Sequence, residues 1–158
     1  MLRRLALEDM DLAARIHRIA FDQALPTLVG LHTPEQDRWF YRERVFATCQ
    51  LWGVFAASEM LGVIAFRDSW IDQLYVLPSA QRRGVGSRLL QVAQGEFDQL
   101  LLWTFQRNVL ARRFYEARGF VLVQESAGLG NEEKEPDALY RWARPRVSTS
   151  RLDRSQSA

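Results

Sequence analysis

Leu74-Tyr75-Val76-Leu77-Pro78-Ser79-Ala80-Gln81-Arg82-Arg83-Gly84-Val85-Gly86-Ser87 is the stretch on which the fold turns. Up to Leu77 the letters are those of a strand, a short apolar and aromatic run stopped by a proline that has no backbone donor to give. From Gly84 the period changes to 3.6: Val85, Leu89, Ala93 and Phe97 lie four apart, with Leu90 beside them and Arg88, Gln91 and Gln94 opposite. A strand therefore runs through a glycine-bearing turn into a helix that docks on a sheet. Helix N-termini leave amides unpaired and carry about half a positive charge, so the junction is suited to an anion. Without side chains at 84 and 86 the backbone can close on a pyrophosphate, Ser87 can add a hydroxyl, and Arg82 and Arg83 add charge. A structural turn needing positive φ would carry the same letters. Neither familiar nucleotide loop fits: Leu89 stands where a dinucleotide fingerprint needs its third glycine, and Gly-Lys-Ser/Thr is absent.

Toward the N-terminus, Leu51 to Ala57, Leu61 to Arg67 and Trp70 to Leu77 are three strand-like runs with links short enough for an antiparallel meander. Before them, Leu2 to Leu7 reads as a strand. Leu12, Ile16, Ile19 and Ala20 give an amphipathic helix, and Asp22 to His32 reads as a loop. Thr33-Pro34-Glu35-Gln36 then opens a second helix running to about Phe46, with Thr33 and Gln36 as a capping box. Toward the C-terminus come a short strand, Leu100 to Thr104, and a helix, Val109 to Arg118, with Leu110, Phe114 and Ala117 inward and Gly119 as its stop. A strand Phe120 to Glu125, a loop Ala127 to Pro136 with three glutamates, and a last strand Ala138 to Ala143 complete the domain, 1–144. The Ser- and Arg-rich tail, 145–158, is expected to be unstructured.

With 158 residues and 47% hydrophobic content the chain is sized for one domain with one core. The net charge of +2 speaks against a dedicated nucleic-acid binder, although Arg146, Arg151 and Arg154 in the tail keep an RNA- or DNA-binding module as a rival reading. All but one of the 21 basic residues are arginines, Lys134 being the exception, and guanidinium suits phosphate only where arginines cluster. No apolar run is long enough to span a bilayer, and Met1 to Ala20 has no leader pattern. One cysteine, Cys49, excludes an internal disulfide and fits a cytoplasmic setting.

Leu74 to Pro78 followed by Gln81-Arg82-Arg83-Gly84-Val85-Gly86 resembles the acetyl-CoA signature of the GCN5-related N-acetyltransferase (GNAT) superfamily. Leu101-Leu102-Trp103-Thr104, Asn108 and Ala111 to Phe120 are similar to the same family's strand, asparagine and helix at the thiol end of CoA. The resemblance is motif-specific across Leu74 to Phe120 and follows element order from Met1 to Trp142. It implies an α/β (α+β) fold with a central, mostly antiparallel mixed sheet flanked by helices, splayed where acetyl-CoA enters. It assigns the pyrophosphate to Gln81, Arg82, Arg83, Gly84, Val85, Gly86 and Ser87, and the pantetheine to Leu74, Val76 and Asn108. Tyr115 becomes the proton donor to the departing thiolate.

The residues bear on these roles independently. Asn108 and Tyr115 are seven apart, about 700° of helix, so both face one way if the helix starts at Asn108. A phenol with its ordinary pKa near about 10 keeps its proton at neutral pH and can donate it. Asn108 also reads as a helix N-cap, and Tyr115 as a ring packed on the sheet. The implied reaction is acetyl transfer from acetyl-CoA to a primary amine, on a small molecule or a peptide N-terminus, in a ternary complex without metal. Asp72, Glu43, Glu35, Asp37 and His32 are the conceivable bases. A non-catalytic acyl-CoA-binding regulatory domain is the rival reading. A homodimer is compatible with the sequence.

Overall fold

A computed structural model describes residues 1–146. Seven strands, β1 (Leu2–Arg4), β2 (Gln50–Ala56), β3 (Glu59–Arg67), β4 (Trp70–Val76), β5 (Gln99–Phe105), β6 (Val121–Ser126) and β7 (Asp137–Ala143), form one sheet in the order β1-β2-β3-β4-β5-β7-β6. Every pairing is antiparallel except β4 with β5. The helices are α1 (Met10–Ala24), α2 (Pro34–Phe40), α3 (Phe46–Thr48), α4 (Val85–Glu96) and α5 (Val109–Glu116). A π-helical turn, Tyr41–Val45, joins α2 to α3.

β3 is buried nearly throughout because helices cover both of its faces, which is why it reads as a continuous apolar run rather than an alternation. Ile64 and Phe66 pack with Leu89, Leu90 and Ala93 of α4, while Val63 and Ala65 pack with Met10, Ala13 and Ile16 of α1. The meander turns are tight, with Ala57 and Asp68 taking positive φ. Arg112 of α5 donates to the Tyr140 hydroxyl at 2.8 Å, and that hydroxyl donates to Glu116 at 2.6 Å, fastening α5 to the β7 side of the sheet.

Several local expectations shift. α1 runs on to Ala24 and is followed by a 3₁₀ turn, Pro26–Leu28, inside the stretch expected as loop. Its buried stripe is Met10, Ala13, Ala14, Ile16, Ala20 and Phe21, leaving Leu12 and Ile19 exposed. In α5 it is Tyr115 that is buried, whereas Leu110 is 63% exposed and Ala117 is exposed as well. The Thr33 capping box forms as expected, the Thr33 amide donating to Gln36 Oε1 at 2.8 Å and the Gln36 amide to Thr33 Oγ1 at 3.2 Å. Residues 147–158, most of the tail, lie outside the described residues.

Candidate functional site

The parallel pair is where the sheet opens. β4 and β5 meet only at Trp70 opposite Leu101, held by the Leu101 amide on the Ser69 carbonyl at 2.8 Å, and beyond that point they part. The gap is a cleft of 1170 Å³, reaching from the start of α4, past β4 and the start of α5, to the connection between β6 and β7. It exceeds the about 300–1,000 Å³ of an ordinary small-molecule pocket, so it suits a long ligand or two ligands together.

At one end stands the α4 N-terminus. Arg88 is the first α4 residue whose amide finds a carbonyl within the turn, that of Gly84 at 3.1 Å, so the amides of Val85, Gly86 and Ser87 point off the helix end. Arg82 and Gly84 take φ of +64° and +81° on either side of Arg83, a backbone that curls its amides toward one place. A Cβ on Gly84 would meet nothing within 4 Å, so hydrogen there serves the dihedral. A Cβ on Gly86 would lie 3.1 Å from the Phe114 ring, so hydrogen there serves close approach of α4 to α5. Gln81, Arg82, Gly84, Gly86 and Ser87 all line the cleft, whereas Arg83 does not, and Val85 turns its side chain into the core. Gln81 donates from Nε2 to the Val76 carbonyl at 3.2 Å, which pins the loop to β4.

Ser87 is already engaged. Its hydroxyl accepts from Arg118 Nε at 3.0 Å and Nη2 at 2.7 Å, and the Arg118 guanidinium lies 3.8 Å from the centre of the Phe114 ring. A third arginine contact, Nη1 to the Phe114 carbonyl at 2.9 Å, fixes the group in place. Arg118 thus adds a held positive charge beside the open amides. Sequence reasoning missed it because it follows α5, 31 positions from Ser87.

α5 supplies the middle of the cleft. Asn108 caps the helix, its Oδ1 accepting from the Ala111 amide at 3.2 Å, and both Asn108 and Tyr115 line the cleft along with Leu74 and Val76 of β4. The Tyr115 ring packs edge-on to Phe114 and Phe120, each at 5.3 Å between centres. Burial, with a smaller push from Tyr75, raises its hydroxyl above the ordinary phenol range, so it is protonated at neutral pH.

Tyr75 lines the far end, stacked at 4.2 Å on His17 of α1, whose Nδ1 is 2.8 Å from the Tyr41 hydroxyl. The π-helical turn is what presents Tyr41 to His17. Burial, reinforced by the Arg18 charge, pushes His17 down to about 4, so its ring is neutral. Of the conceivable bases, Asp37 is held by Arg18 at 2.8 and 2.9 Å, Glu35 pairs with Arg38 at 3.4 Å, His32 pairs with Glu132 at 3.3 Å, and Glu43 is exposed. Asp72 lines the cleft but is bound by Arg67 Nε at 2.7 Å and by the Cys49 thiol at 3.3 Å. Burial raises that thiol to about 11, which keeps it unreactive. Glu133 lines the cleft too and was not among the conceivable bases.

A family model described as an acetyltransferase (GNAT) domain matches residues 42–122. The peptidyl-lysine N-acetyltransferase YiaC of Escherichia coli K12 is 32% identical over 102 residues, which are 64% of this chain and 68% of that protein. Among solved structures, apo YjaB of Escherichia coli superposes with a TM-score of 0.77 at 20% identity, over 92% of this chain and 98% of that one. The PaiA N-acetyltransferase of Thermoplasma acidophilum, solved in complex with coenzyme A, gives 0.64 at 17% identity, over 90% and 98%. Among the described residues no helix is long and apolar enough to cross a membrane.

Proposed function

Since the chain belongs to the GNAT family of acetyltransferases, we propose that it moves acetyl from acetyl-CoA to a primary amine by direct attack within its cleft. The observation that carries this reading is the parting of β4 from β5, with the α4 N-terminus at one end of the gap and Tyr115 farther along it. In this reading the amides of Val85, Gly86 and Ser87 receive the CoA diphosphate, with Arg82 and Arg118 adding charge. Pantetheine runs beside Leu74 and Val76 toward Asn108, and the β4 edge freed of β5 offers backbone groups to it. The amine nitrogen attacks the thioester carbonyl, and amide donors in the β4 edge stabilise the oxyanion. Tyr115, which burial keeps protonated, gives its proton to the departing thiolate. Small-molecule amines and peptide amines are both acceptors to try, and the name of YiaC adds lysine side chains.

Calorimetry with acetyl-CoA, followed by release of free CoA thiol across an amine panel, tests the reading. Tyr115→Phe should leave acetyl-CoA affinity within about twofold and lower kcat about 100-fold, the usual scale of a lost general acid. Binding of acetyl-CoA without any amine raising thiol release above hydrolysis would refute acetyl transfer and favour a domain that only binds acyl-CoA.

A further inference from the structure

The connection between β6 and β7 carries Glu132, Glu133 and Glu135, and two of them have side-chain partners. Glu132 faces outward to His32 Nε2 at 3.3 Å, and Glu135 is held by Arg107 Nε at 3.0 Å. Asp137, at the start of β7, receives the Ser126 hydroxyl and Asn131 Nδ2, the latter at 3.2 Å. Asn131 also ties the loop to itself, donating to the Glu135 carbonyl at 2.8 Å and accepting from the Glu135 amide at 3.2 Å. Glu133 therefore sits in a loop fastened on both sides of it.

That side chain is half-buried, lines the cleft, and among the described residues has no ion-pair or hydrogen-bond partner. Its charge is felt by Tyr75, whose hydroxyl is raised first by burial and next by Glu133. The other carboxylates of the cleft wall, Asp72 and Asp137, both have partners. A half-buried carboxylate with no partner in its own fold is left free to take a cation arriving in the cleft. The opposite end of the cleft carries Arg82 and Arg118 and suits phosphate, while Arg107, which also lines the cleft, is paired with Glu135, so the charge left unneutralised is polarised along its length.

We propose that Glu133 is the acceptor-binding residue, taking the incoming amine as its ammonium ion beside Tyr75. The inference rests on the acetyl-transfer reading and narrows the acceptor to aliphatic amines that are cationic at neutral pH, such as lysine-type amines with a pKa near about 10.4. The ammonium gives up one proton to water at the cleft mouth before it reacts. The neutral nitrogen adds to the carbonyl to form the C–N bond, the resulting oxyanion collapses and breaks the C–S bond, Tyr115 protonates the thiolate, and the second nitrogen proton restores Tyr115. The net products are the amide, CoA thiol and one proton.

Glu133→Gln is the test, with Glu132→Gln as the neighbouring control and Glu133→Asp as the conservative variant. Two acceptors are compared: an N-terminally blocked peptide with one lysine, and hydroxylamine, which is uncharged at neutral pH. In Glu133→Gln the peptide KM should rise about tenfold or more, the scale of one charge-assisted contact. The acetyl-CoA KM and turnover of hydroxylamine should stay within about twofold. Glu133→Asp should recover part of the loss and Glu132→Gln should show none. Equal losses with both acceptors, or wild-type peptide kinetics in Glu133→Gln, would overturn the proposal. Calorimetric titration of the CoA-bound protein with the peptide reads the same contact without turnover. Tighter binding to wild type than to Glu133→Gln supports the proposal, while equal binding or none overturns it, even if acetyl transfer itself stands. Failure of every amine in a wild type that binds the peptide through Glu133 would instead remove the acetyl-transfer reading.

Discussion

The two ends of the cleft are built in opposite ways. The end at the α4 N-terminus is nearly contiguous: Gln81 to Ser87 turn once, start a helix and leave its amides open, so one short stretch of chain builds it. The far end is assembled from α1 through His17, the π-helical turn through Tyr41, β4 through Tyr75, and the β6–β7 connection through Glu133. A contiguous end can be disabled by one backbone change, whereas an assembled end answers to the solvent and protonation conditions that its several elements share. Arg107 links the assembled side, donating to Thr27 Oγ1 at 2.8 Å while pairing with Glu135.

The largest expected effect breaks the first end and spares the second. Gly86→Val places a Cβ 3.1 Å from the Phe114 ring, and Phe114 cannot retreat freely because Arg118 covers its face and Tyr115 its edge. Its branched methyls would also enter the cleft beside Val76, whose Cγ2 is 3.7 Å from that Cβ. Acetyl-CoA affinity should fall by about 1000-fold, or about 4 kcal/mol, by calorimetry. The melting temperature should drop by about 2–12 °C and leave a folded protein, since overpacking one site costs about 1–3 kcal/mol. Retained affinity would mean that the α4 start does not receive the cofactor.

The second effect belongs to the assembled end. His17 is neutral in the fold down to about pH 4 but takes up a proton near 6.5 when the chain is unfolded. Between those values the unfolded state binds more protons, so stability falls as the pH drops through this window and is level above it. At 1.36 kcal/mol per pH unit the loss reaches about 3 kcal/mol near pH 4. Chemical denaturation at pH 7 and pH 4.5 measures it. His17→Phe, which has no proton to gain, should lose that part of the slope, and an unchanged slope would assign it to the carboxylates.

What was legible in the sequence follows the same division. Gly84 and Gly86 could be placed from letters and spacing because each lies within one turn, whereas Asn108, Tyr115 and the strand parting followed from the resemblance to the family. The wrong face of α5 has a physical origin. Eight residues make little more than two turns, too few for periodicity to separate Leu110 from Tyr115, and the helix lies along an open cleft where apolar residues need not be covered. Arg118 against Ser87 could not be read at all, since it depends on how α5 packs against α4. Glu133 is indistinguishable by letter from Glu132 and Glu135; only the fold shows that His32 and Arg107 take those two.

The smallest effect separates two glycines that look alike in the sequence. Gly84 has φ of +81°, a conformation that costs an L-residue about 1–2 kcal/mol, yet a Cβ there meets nothing within 4 Å. Gly86 is the reverse case, with no positive φ and a Cβ in contact with Phe114 and Val76. Gly84→Ala should therefore destabilise the protein by about 1 kcal/mol and weaken acetyl-CoA about fivefold, by loosening the amides rather than by filling the cleft. Gly84→Asn should do less damage than Gly84→Ala although its side chain is larger, because asparagine tolerates left-handed backbone. Denaturation midpoints and calorimetric affinities of the two variants check the ordering. If asparagine proves the worse, space rather than dihedral governs position 84, and the two glycines do the same job after all.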